Sequence, residues 1–201
     1  MTIFRCEIDV KAPPICRDFD AKLDTYLTQQ RALAVHDPED DYRLTWLRDR
    51  SGPNDWHVIA HYGNWDYVEP VVLQWIVSRQ NCDAATALMI FWKASPDFYL
   101  ETDQDRDELN NNQNTDYVSE ALEHFDLIEY IRERWFGEGY QRKEYSFDYD
   151  RDLWPNEFEK LGQRFGEVAR KFLPIEMRGP LPGILIKDVP SSEGWKEEWL
   201  G

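Results

Sequence analysis

Hydrophobic positions along the chain recur mostly at three- and four-residue spacing, and the pattern predicts a mainly α protein. Phe4, Cys6, Ile8 and Val10 alternate with polar neighbours and predict a short strand or extended arm, ended by Pro13-Pro14. Asp18 can cap a first helix with Phe19, Leu23, Tyr26, Leu27 and Leu33 on one face, stopped at His36-Asp37-Pro38. Glu39-Asp40-Asp41 reads as a solvated acidic link before an apolar segment carrying Leu44, Trp46 and Leu47. Asn54 or Asp55 can cap a short helix with Trp56, Ile59 and Ala60, closed by Gly63. Asp66 is a candidate cap for the next helix, striped by Val68, Val71, Val72, Trp75 and Ile76. Asp83 caps a third, Ala84 to Trp92, whose apolar residues surround the axis, so it is expected at the centre of the core.

Further on, residues 101–114 are almost wholly polar. Thr115 or Asp116 then opens the clearest amphipathic helix, over 115–136, with Tyr117, Ala121, Phe125, Ile128 and Ile131 in register and Gly137 and Gly139 after it. Tyr145, Phe147 and Tyr149 alternate as a short extended piece, and a last helix is predicted over 155–173. A Pro-rich tail, 174–201, follows, in which Ile184 and Ile186 suggest a brief strand. The expected architecture is one compact multi-helix domain over 1–201, with one or two short peripheral strands and no internal repeat.

Composition makes this a folded chain: 42% of residues are hydrophobic, including nine Trp, ten Tyr and ten Phe, which is core material that a disordered acidic chain lacks. Charge narrows its partners. Asp and Glu total 39 against 23 Lys and Arg, for a formal charge of −16. That deficit argues against nucleic acid and against anionic lipid, both of which need basic side chains. It fits a basic protein partner drawn in by the field. Three cysteines, Cys6, Cys16 and Cys82, match no metal or redox spacing and are expected as free thiols in a reducing cytoplasm. No apolar run is long enough for a signal core or a membrane span.

Asn64-Trp65-Asp66, then Cys82-Asp83-Ala84-Ala85-Thr86-Ala87-Leu88, then Phe91-Trp92, with His57 and Tyr62 alongside, resemble the signature of a bacterial family of unknown function. Ala84-Ala85 departs from it, since a Gly before the Thr is common there. The family-like core spans 44–100, with the signature in 56–100. The resemblance implies a helical domain and a bacterial source, and it implies no reaction. Size, acidity and helical character are also similar to small immunity proteins encoded beside secreted toxins, an analogy rather than a shared motif.

Candidate chemistry is sparse. His57 and His61, four apart, share a helix face and can grip one metal ion, with Asp66 or Glu69 as a possible third ligand. Val58 stands where a zinc protease carries its Glu, and packing beside Trp56 and Tyr62 explains the pair more simply. Cys82 at a helix start has the setting of an activated thiol, but Asp83 opposes a second anion there; a buried Cys and a capping Asp account for both. Asp103, Asp105 and Asp107 alternate like a calcium loop but lack its central Gly. Most of the tryptophans fall on apolar stripes. Trp195 and Trp199 instead stand in the tail, either docked on the body or as an anchor for a partner.

The expected function is therefore non-catalytic and cofactor-free: an acidic cytoplasmic immunity or inhibitor protein that binds a basic toxin from a neighbouring gene. The expected partner surface is Asp103, Asp105, Asp107 and Glu108, together with Tyr145, Asp148, Tyr149, Asp150 and Asp152. The alternatives are an enzyme using His57 and His61 or Cys82, and a regulatory or structural scaffold.

Overall fold

The computed structural model of the chain describes residues 18–32, 38–63, 68–96, 115–152, 177 and 179–190. Within them, helix dominates: α1 (Phe19–Ala32), α2 (Pro38–Arg50), α3 (Pro53–Tyr62), α4 (Pro70–Ser78), α5 (Ala84–Lys93), α6 (Thr115–Phe136) and the single turn α7 (Tyr149–Asp152).

Local chemistry explains most helix starts. Asp18 Oδ1 accepts the Ala21 N–H at 3.0 Å and opens α1, which buries Phe19, Leu23 and Leu27 at four-residue intervals. Pro53 begins α3, and the carboxylate of Asp55 reaches back to the Gly52 N–H at 2.9 Å. Gly63 closes α3 by donating to Ile59 O at 2.8 Å. Pro70 begins α4, so that helix starts later than a cap at Asp66 implies, and Asp66 itself lies outside the described residues. Glu39, Asp40 and Asp41 do not form a link. They are the first turn of α2, where acidic residues are favoured by the helix dipole and Pro38 supplies a ready-made φ.

As the all-round apolar sequence predicts, α5 is the centre. Every residue from Ala84 to Trp92 is buried. Each large side chain there contributes about 1.5–3 kcal/mol by leaving water. Around α5 pack α3, α4 and α6, the last burying Leu127, Ile128 and Ile131; α6 also packs on α4, α1 lies on α4, and α2 against α1. Polar contacts fix α1 on α4: Trp75 Nε1 donates to Asp20 Oδ1 at 2.9 Å, and the Arg79 guanidinium meets the same carboxylate at 2.9 Å.

A buried cation, Arg134, and a half-buried one, Lys93, cap helix ends across the core. Arg134 of α6 donates to Val77 O at 2.6 Å and Arg79 O at 3.1 Å, at the C-terminus of α4. Lys93 of α5 donates to Ala60 O at 2.7 Å and His61 O at 2.6 Å, at the C-terminus of α3. Both satisfy carbonyls that have no partner within their own helix.

Among the described residues there is no strand. The extended pieces expected around Tyr145–Tyr149 and Ile184 meet only through single bridges, Tyr145 to Ile184 and Phe147 to Leu181, while Ile186 belongs to a 3-10 turn, Ile186–Asp188. The first of these bridges explains Gly183: a Cβ there would lie 2.5 Å from Glu144 O. The N-terminal arm, the 155–173 helix and the end of the tail fall outside the described residues.

Candidate functional site

The polar centre of the molecule forms where the chain after α6 folds back onto the start of α5. Asp83 is almost fully buried. Its Oδ1 accepts the Ala85 N–H at 2.8 Å, the ordinary bond of a helix cap. Its Oδ2 accepts the Glu144 N–H at 2.6 Å and the Tyr145 N–H at 3.4 Å. In return, Ala84 N–H donates to Arg142 O at 2.9 Å. One carboxylate thus both starts the central helix and holds the 142–145 segment. Burial pushes the Asp83 carboxyl above its ordinary range, opposed by those N–H bonds and by Arg142.

Tyr145 carries the contact on to α3. Its hydroxyl donates to Asn54 Oδ1 and accepts from Arg142 Nη2 at 2.9 Å. Its ring stacks on His57, with centroids 4.4 Å apart and planes 26° apart. His57 Nδ1 in turn lies 3.0 Å from Thr86 Oγ1 on α5. His61, one turn along α3, lies against the Tyr62 ring in a tilted contact, with centroids 4.4 Å apart and planes 36° apart. Burial, and then the neighbouring His61, lower the His57 imidazole to about 3. Burial and the Lys93 ammonium lower His61 to about 4, and burial lowers Lys93 to about 8. Both imidazoles are therefore neutral at pH 7: His57 packs on Tyr145 and is bonded to Thr86 through Nδ1, and His61 packs beside Tyr62, while His57 Nε2 and His61 Nδ1 are buried without a hydrogen-bond partner.

The other sequence candidates are dispersed. Cys82 is fully buried, burial pushes its thiol up, and its Sγ points at Asp83 O at 3.6 Å. That is the environment of an inert thiol, not of a nucleophile. Native Cys82 is accordingly expected to resist iodoacetamide and to react only on unfolding, which mass mapping of the alkylated peptide reads directly. Among the described residues no group of three His, Cys, Asp or Glu is placed to hold a metal ion.

Of the expected partner surface, Asp103, Asp105, Asp107 and Glu108 lie outside the described residues. Tyr145 is 1% exposed and presents nothing to a partner; its alternation with Phe147 marks an inward face, and both are core residues. Asp148 is half-buried, and Tyr149 and Asp150 lie on α7. The Asp152 side chain is turned inward. Its Oδ2 accepts the Asp148 N–H at 2.8 Å, and both its oxygens take Arg151 at 2.7 Å. Burial would raise the Asp152 carboxyl, but those bonds outweigh it and hold it low.

Sequence reading missed Thr86 as the partner of His57, and the half-buried cations Arg142 and Lys93 as partners of the Tyr145 hydroxyl and of the α3 carbonyls. A lone Thr, Arg or Lys carries no periodic signal. Only the third dimension brings Arg142 to Asp83.

Residues 51–136 match a domain of unknown function (DUF4274), and the resemblance read from 56–100 lies inside that span. The match runs from just before α3 to the last residue of α6, so the Asp83 bonds to Glu144 and Tyr145 tie this domain to chain beyond it. No curated protein and no solved structure matches the chain.

Proposed function

We propose, for a chain whose residues 51–136 form a DUF4274 domain, a non-catalytic role: an acidic cytoplasmic protein of the immunity or inhibitor kind, which neutralises a basic toxin encoded beside it by direct binding. The observation that carries this reading is how the positive charge is used. Arg48 pairs with Asp24 and Asp49, Arg79 with Asp20, Arg132 with Glu129, Arg142 with Glu144, and Arg151 with Asp152. Arg134 is spent on carbonyls and Glu138, and Lys93 on carbonyls. These seven basic side chains, among the described residues, are committed to the protein's own fold. With 39 acids against 23 Lys and Arg, no one-to-one pairing can neutralise the remainder, and the formal charge of −16 stands.

Such a field speeds encounter with a basic surface and repels nucleic acid and anionic lipid. Two further facts agree with binding rather than catalysis: the Cys82 thiol is sealed, and the His57 ring is held between Tyr145 and Thr86. No described helix is long and apolar enough to cross a membrane. The partner surface proposed is the acidic stretch Asp103, Asp105, Asp107 and Glu108, together with the 148–152 turn.

The test is neutralisation. Expression of the neighbouring gene product alone is expected to arrest growth, and co-expression of this chain to restore it. Charge reversal of Asp103, Asp105 and Asp107 to Lys is expected to abolish that protection while leaving the thermal transition unchanged. Arrest that persists with the wild-type chain present contradicts the proposal.

A further inference from the structure

We draw no further inference here: the strongest candidate, the groove at the C-terminal end of α6 lined by Trp135, Phe136, Tyr140 and Leu181, carries both Glu138 and Lys143 in its wall, so charge selects no occupant, and nothing in the structure shows what covers it.

Discussion

Replacing Asp83 by Ala is expected to destabilise the protein by about 4 kcal/mol, among the largest effects that any single side chain here produces. The magnitude follows from three donors that lose one acceptor. Loss of the helix cap at Ala85 costs about 1 kcal/mol. The Glu144 and Tyr145 N–H groups lose their acceptor as well, at about 1–3 kcal/mol for each that stays dry. Because those two donors belong to another segment, the damage is not confined to α5. The 142–145 segment loses its anchor, and with it the Tyr145 ring that covers His57. Urea unfolding is expected to show a lower midpoint, with loss of near-ultraviolet dichroism before the helical signal. Asp83→Asn keeps one oxygen for the cap but turns an NH2 group toward the other donors, and so falls between. A cost under about 1 kcal/mol for Asp83→Ala would show that the joint is held by apolar packing alone.

Acidification is the second large effect. The imidazoles of His57 and His61 lie at about 3 and about 4 in the folded chain, below the ordinary 6.5. Between those values the unfolded chain binds protons that the folded chain refuses. Stability therefore rises with pH across that window, and is lost as pH falls from about 6.5 toward 3. His57 alone accounts for about 4 kcal/mol of that loss, a large fraction of the 5–15 kcal/mol typical of a domain. Asp152, held low by Arg151, adds to the loss at the acid end. Asp83 acts in the opposite sense: its carboxyl is raised, so its contribution is complete below 3.8 and declines as pH rises through its folded value. The urea midpoint measured from pH 7.5 to 4 is expected to fall steeply, and His57→Gln to flatten the slope. A wild-type midpoint that stays level between pH 6.5 and 4.5 would mean that the imidazoles are not buried as described.

Both effects arise in the segment that the sequence marks most clearly, yet sequence and structure agree there only in part. Asp83 reads as a cap because a capping residue precedes an apolar run, and the cap is present. The other carboxylate oxygen was not legible, because its partners lie 61 and 62 residues away and offer only main-chain N–H groups. The central place of α5 was legible because no face of that helix is polar. The alternation of Tyr145 with Phe147 was legible as an extended piece, but alternation does not say which set faces inward when no polar-out partner strand exists. The acidic run Glu39-Asp40-Asp41 misled for a related reason. Acidity is equally a property of links and of first helical turns, and only the continuation into Leu44 and Leu47 separates them.

The functional reading rests on charge that the fold does not consume, and binding to the neighbouring gene product at two ionic strengths tests it most directly. At 20–50 mM salt, size-exclusion chromatography and calorimetry are expected to show a one-to-one complex, and the association rate is expected to fall at least tenfold on going to about 500 mM salt, where screening is nearly complete. Absence of a complex at low salt, or a complex whose association rate ignores salt, contradicts the account.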